Sequence, residues 1–409
     1  NRPDWLSHKG IARDMHAKNP TYQLKENALI SDLDAVSSED FSIHIENGDD
    51  CPRYSGAIIR DISVQESSER IQSLLKSMGL RPINAIVDIS NIILMTTGQP
   101  IHIFDLDKLK GDRIQIRRAK QGESLTLLDE NKVKLDEQML IIADESEPIA
   151  LAGIMGGLDS GVTFETRNIF IESAKFDAVV VRKTAKKLGL TTDASFRFER
   201  GTDIAITRDV IAETIDMIRD EIKSDLAIDF CKDAYPNSHR PQFVSLPKSY
   251  PQSYSGIDIS ESESERILNR LGFKTESTGD TWEVTVPSFR VDIYGKQDLI
   301  EEIVRIYGYD NLKSVLPEVS TTKLKKWPFR DLKRQIDQYL VNNGAYETLN
   351  YSFHRKEDNR FFGDGERDLQ LKNPLGLDYS IMRNSLIPGI LKNIATNFNQ
   401  SSQSAFFFE

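Results

Sequence analysis

Two groups of side chains in this sequence have the types and spacing for chemistry. The first lies around positions 81–201. His102 stands in Gly98-Gln99-Pro100-Ile101-His102-Ile103-Phe104-Asp105, flanked by apolar residues in what reads as a turn. A histidine so placed is either a hydrogen-bonded core residue or a catalytic one. Glu172 ends the apolar run Ile169–Ile171, so its carboxylate must pair with a neighbour or be reached by a ligand. Asp88, Ser90 and Asn91 sit beside a buried-looking stretch. Ala152–Gly157 is Gly-rich but lacks the Lys-Ser/Thr of a phosphate loop and is not GxGxxG, so a tight turn is its default reading. The second group is Asp292, Asp298, Glu301 and Glu302. On a helix, positions 298, 301, 302 and 305 share one face, which points three carboxylates together. Clustered carboxylates need solvent, cationic partners or a metal, and hard oxygen ligands suit magnesium. A solvated acidic face, a magnesium site and an interface with Arg or Lys on a partner all fit that pattern.

The bulk properties narrow the class. At roughly 150 residues per domain, 409 residues suggest about three domains. Hydrophobic content of 39% and charged content of 28% are ordinary for a soluble globular protein. No run approaches the ~18 apolar residues of a membrane helix, and the N-terminus lacks the pattern of a signal peptide. Cys51 and Cys231 lack CxxC spacing, which argues against a zinc site or disulfide framework and suits a reducing cytoplasm. A net charge of -11 argues against nonspecific polyanion binding. The basic runs 182–187 and 323–326 read as phosphate contacts or as solvated faces. Starting at Asn1 and ending on Phe406, Phe407, Phe408 and Glu409, the chain reads as an excised piece of a longer polypeptide.

These residues need elements to hold them. The pattern predicts a helix through Ile11, Ala12 and Met15, then an acidic linker over 34–50. Strands are expected at 56–63, around Ile114 and Ile116, at 139–143 and at 169–172, with a hairpin over 125–135. Helices are expected over 68–78, capped by Gly79, and over 208–222, with Ile211, Ile215, Ile218 and Ile222 on one stripe. Residues 234–241 read as a boundary. Beyond it, helices are expected at 262–271 and 298–307 and a strand at 282–286. Pro317, Lys325, Lys326 and Pro328 mark a further linker, followed by a helix with Leu332, Ile336 and Leu340 on one face.

Four segments occur in order: RPINAIVDISN, GQPIHIFD, LAGIMGG and GLTTDASFRFERGTD. Together they resemble the editing module of bacterial phenylalanyl-tRNA synthetase β subunits. NRPDWLSHKGIARD resembles the end of that subunit's preceding small domain, VPSFRVDIYGKQDLIEEIVRIYGYDNL a later domain, and LKNPLG with MRNSLIPGIL the start of its catalytic-like domain. The resemblance implies an α+β multidomain chain. Residues 1–38 end a small helical domain and 39–233 form a mixed α/β editing module. Residues 242–315 form a small helix-rich, winged-helix-like domain, and 325–409 open a class II synthetase-like antiparallel-sheet domain.

The family hydrolyses tyrosine wrongly esterified to the phenylalanine tRNA. Its motifs fall here on Ser90, His102, Gly156, Glu172, Thr192 and Ala194. Glu172 would accept the tyrosine hydroxyl and Gly156 and Ala194 would leave room for the ring. His102, Ser90 and Thr192 would position the ester or its water. The family usually has Thr at Ser90, which keeps the hydroxyl and loses a methyl contact. The acidic four match a magnesium site shared with the α subunit, within an (αβ)2 heterotetramer that binds tRNA(Phe) in the cytoplasm. The α subunit makes the adenylate from ATP, and this chain lacks a class II ATP-binding segment. Two rivals remain: a noncatalytic scaffold, and a nucleic-acid-binding module at 242–312.

Overall fold

The computed structural model describes residues 2–25, 29, 33, 41–223, 226–316, 327–360, 362, 368–401 and 404–409. It divides into two compact units, 1–315 and 316–409.

The first unit opens with α1 (His8–Lys18), capped by the Ser7 hydroxyl on Gly10 N–H. Then come β1 (Ser42–Ile45), β2 (Arg53–Arg60), α2 (Glu69–Ser77), α3 (Ala85–Thr97) and β3 (Ile101–Asp105). β4 (Arg113–Arg118), β5 (Ser124–Thr126), β6 (Lys132–Lys134), β7 (Leu140–Ala143), β8 (Pro148–Leu151), β9 (Met155–Gly156) and β10 (Ile169–Lys175) follow. α4 (Ala178–Leu188), α5 (Asp193–Phe198), α6 (Thr207–Ile222) and β11 (Ala227–Ala234) complete this part.

These elements make three layers. A five-stranded sheet, β1-β4-β7-β8-β9, packs on a four-stranded sheet, β11-β2-β10-β3. Helices α2, α3 and α6 cover the other face of the second sheet. Side-chain alternation sorts the second sheet's residues. Tyr54, Ile58, Phe104 and Phe170 join the cluster shared with the first sheet, while Ala57, Ile59, Ile103, Ile169 and Ile171 join the helices. β10 is apolar on both faces because it is covered on both, and each Ile or Phe so buried contributes about 1.5–3 kcal/mol.

Three expectations change. The stretch 34–50 is not all linker: Ser42–Ile45 is a strand pairing in parallel with β4, and residues 34–40 lie outside the described residues. His102 is on β3, not in a turn. Ala85–Thr97, expected only as a buried-looking stretch, is a helix, started by the Asn84 carboxamide on Ile86 and Val87 N–H and ended by Gly98 at φ 78°.

The same unit continues with β12 (Gln242–Pro247), α7 (Tyr250–Ser255), α8 (Glu261–Arg270), β13 (Lys274–Thr278), β14 (Thr281–Val286) and α9 (Lys296–Tyr307). The antiparallel sheet β12-β14-β13 and these helices enclose a core around Trp282, Val284, Leu268 and Ile303.

The second unit contains α10 (Pro328–Asn342), β15 (Tyr346–Glu347), β16 (Phe353–His354), α11 (Lys356–Arg360), β17 (Ile381–Met382), α12 (Ile387–Asn399) and β18 (Phe407–Phe408). Among the described residues β16 and β17 pair antiparallel and β15 and β18 pair in parallel, each as a two-stranded sheet. The expected linker residues Pro317, Lys325 and Lys326 lie outside the described residues, as does the basic run 323–326. Among the described residues, no helix is long and apolar enough to cross a membrane.

Candidate functional site

Strand register builds the site. Glu172 on β10 lies opposite His102 on β3 and opposite Gly56 on β2. Tyr54 pairs with Ala174, two residues from Glu172, so Tyr54, Glu172 and His102 share one sheet face. The surroundings are aromatic: the His102 ring meets Phe104 edge to face, with centroids 4.4 Å apart. In this apolar setting three shielded polar atoms have no hydrogen-bond partner: the Tyr54 hydroxyl, His102 Nε2 and Glu172 Oε2. The Tyr54 hydroxyl is close enough to lower the Glu172 carboxyl, yet it forms no regular hydrogen bond with it.

Burial sets the protonation states. It raises the Glu172 carboxyl to about 8, against a smaller lowering by Tyr54. At neutral pH Glu172 is therefore mainly the neutral acid, with one donor and remaining acceptor capacity. Burial lowers His102 to about 4, so its imidazole is neutral and weakly basic.

A cavity of about 60 Å³ is lined by His102, Met155, Gly156, Glu172, Ala194 and Phe198, among others. It thus joins four of the six residues expected from sequence. Thr192 lies outside the lining: its side chain caps α5 by accepting from Ser195 N–H and donates to the carbonyl of Ile154, which does line the cavity. Ser90 also lies outside, its hydroxyl turned back on the Val87 carbonyl within α3. The smallness of Gly156 is already used, because a Cβ there would overlap the His102 ring. At 60 Å³ the cavity is below the roughly 150 Å³ that admits benzene. The expected room for an aromatic ring at Gly156 is occupied by His102.

Sequence reasoning missed Tyr54. The signal was in β2, where alternation through Tyr54, Gly56 and Ile58 puts a phenol on the face that carries Glu172.

The acidic group is organised differently from its expectation. Glu302 is 2% exposed, whereas Glu301 is exposed, so they do not point together. Glu302 accepts from Arg290 Nη1 (2.7 Å), Arg305 Nη2 (2.7 Å) and Arg2 Nη1 (3.3 Å). Both oxygens of Asp292 accept from Arg290, each at 2.8 Å. Asp298 caps its own helix by accepting from Tyr294 and Gly295 N–H. Burial pushes the Asp292 and Glu302 carboxyls up, but arginine hydrogen bonds outweigh it and leave both below their usual values. Among the described residues no group of three or more His, Cys, Asp or Glu is placed to hold a metal. Asp292 and Glu302 are answered by arginines, Asp298 by backbone N–H groups and Glu301 by its exposed position, so in this chain the four do not gather around one point. The cations come from this chain, with Arg2 tying the N-terminal segment to α9.

Comparison with known proteins gives the chain its family. The B3/4 domain profile matches residues 50–222, the tRNA synthetase B5 domain profile 244–309, and the phenylalanyl tRNA synthetase beta chain CLM domain profile 312–409. The phenylalanine–tRNA ligase beta subunit of Fusobacterium nucleatum is 35% identical over the whole of this chain and 51% of its own length. The chain belongs to the phenylalanyl-tRNA synthetase β-subunit family. The beta subunits of Thermotoga maritima and Carboxydothermus hydrogenoformans are 35% and 36% identical, again over all of this chain and 51% of theirs. The chain spans about half the length of the curated relatives it matches. A crystal structure of an N-terminal fragment of the phenylalanyl-tRNA synthetase beta subunit from Pyrococcus horikoshii is 18% identical. It covers 76% of this chain and 85% of its own at a TM-score of 0.40, too distant to bear on the fold.

Proposed function

We propose that the β2–β10–β3 face carries a proofreading site that hydrolyses tyrosyl esters of the phenylalanine tRNA. The observation carrying this reading is one small cavity lined by His102 and Glu172, each with a shielded, unpartnered polar atom, with the unpartnered Tyr54 hydroxyl on the same sheet face. Leaving buried polar groups unpaired costs stability, and a ligand that pairs them recovers it. Tyrosine differs from phenylalanine by one hydroxyl. An apolar pocket rejects that hydroxyl weakly, but a site that hydrogen-bonds it discriminates strongly. Neutral Glu172 can donate a hydrogen bond to the phenol oxygen or accept one from the phenol hydroxyl. Weakly basic His102 orients the ester or water more readily than it abstracts a proton. Admission of the ring requires the His102 side chain to swing off Gly156.

The assay is deacylation of Tyr-tRNA(Phe) by the full-length β subunit with its α partner. The expected result is hydrolysis that falls at least tenfold in Glu172→Ala, with the Phe ester little affected. Equal hydrolysis by wild type and Glu172→Ala would sink the proposal and favour a noncatalytic scaffold. In this reading the chain works in the cytoplasm with an α subunit, in an (αβ)2 assembly, that uses ATP to charge the tRNA. The nucleic-acid-binding alternative at 242–312 gains no support from α9, whose Glu302 is held by arginines of this chain and whose Glu301 is exposed.

A further inference from the structure

A second, larger cavity shares no lining residue with the candidate hydrolytic pocket; Arg197 of α5 lies on its wall. Its volume is about 610 Å³, within the range of small-molecule sites. Arg13 and Thr202 line it, and each carries an unmet polar atom. Among the described residues, Arg13 has no hydrogen bond or ion pair, and its Nη1 is shielded from solvent. Its guanidinium instead stacks on the Phe289 ring, 3.5 Å from the centroid. Thr202 is 5% exposed and its Oγ1 also has no partner. Arginine cannot shed its charge, so leaving Nη1 shielded without an acceptor is costly. Burial, opposed by the charges of Asp4, Asp203 and Asp14, leaves its pKa lowered, consistent with incomplete compensation. The other arginine on the wall, Arg197, is already bonded to Asp193 and the Leu6 carbonyl. Lys9 is held by Glu213.

We propose that this cavity binds a small organic monocarboxylate with an apolar body, its carboxylate accepting from Arg13 Nη1 and Thr202 Oγ1. Phe289 fixes the guanidinium plane, and Ile206 and Val210 offer apolar surface to the body. Asp4, Asp203 and Asp209 share these walls, so a phosphate dianion is disfavoured relative to a single carboxylate.

The probe is 4-fluorobenzoate, titrated into the full chain and followed by fluorine NMR. Saturable binding is expected, weakened at least tenfold in Arg13→Gln and in Ile206→Trp, which fills the cavity. Thr202→Val keeps the side-chain shape and should weaken binding severalfold even if Arg13→Gln disturbs folding. Glu172→Gln, in the separate pocket, should bind the probe as wild type does. Absence of binding, binding unchanged in Thr202→Val and Ile206→Trp, or equal displacement by equimolar inorganic phosphate would each overturn the proposal.

Discussion

Replacing Glu172 by Gln tests the electrostatics of the site without any substrate. The carboxyl is 5% exposed and held at about 8 instead of 4.5. Between those values the folded state binds the proton and the unfolded state does not, so stability falls as pH rises. Below pH 4.5 both states are protonated and the effect vanishes; above pH 8 both are ionised and the full cost is present. At 1.36 kcal/mol per tenfold, the cost developed between pH 5 and pH 8 is about 3 kcal/mol. Glu172→Gln keeps the shape and has no proton to lose. The variant should therefore gain about 3 kcal/mol over wild type on going from pH 5 to pH 8. Hydrogen exchange of the β10 amides reads this locally, and comparison at each pH cancels intrinsic exchange chemistry. A stability difference between the proteins that stays constant across this range would refute the buried, protonated carboxyl.

Other perturbations separate the remaining arguments. Tyr54→Phe removes an unpaired buried hydroxyl, so stability should hold or rise by about 1 kcal/mol while preference for the Tyr ester over the Phe ester falls; urea unfolding and deacylation measure the two. Gly156→Ala should cost about 1–3 kcal/mol because the new methyl overlaps the His102 ring, and a shifted His102 ring resonance should accompany the loss. Glu302→Ala leaves Arg290 and Arg305 without their shared buried acceptor and should cost about 3–5 kcal/mol in urea unfolding. Glu301→Ala, on the exposed face, should fall within about 0.5 kcal/mol of wild type. Adding EDTA to the chain should leave its melting temperature unchanged, since arginines neutralise the acidic group.

Much of the secondary structure was legible because it is written in local periodicity. The Ile211, Ile215 and Ile218 stripe became the buried side of α6, and Gly79 took the positive φ expected after α2. α3 was harder to read because it is apolar nearly all round, and β1 because four residues inside an acidic stretch carry little signal. On α10, Leu332 and Ile336 follow the helical spacing, yet both remain exposed within their unit.

The motifs alone named Ser90, His102, Gly156, Glu172, Thr192 and Ala194, because their residue types and order identify the family, and four of these six line one cavity. Only strand pairing could say what those neighbours do. Register set Glu172 across from His102 and brought Tyr54 onto the same face, from 118 positions earlier in the sequence. Packing put the His102 ring where an open space over Gly156 was expected. Charge shows the same division. Four carboxylates within eleven positions suggested a metal, and spacing cannot distinguish a metal from cations folded in from elsewhere. The tertiary structure delivered Arg2 from the far end of the unit to Glu302, beside Arg290 and Arg305. Sequence carries residue type and local geometry; which buried charge is answered, and by what, depends on contacts between segments that are distant along the chain.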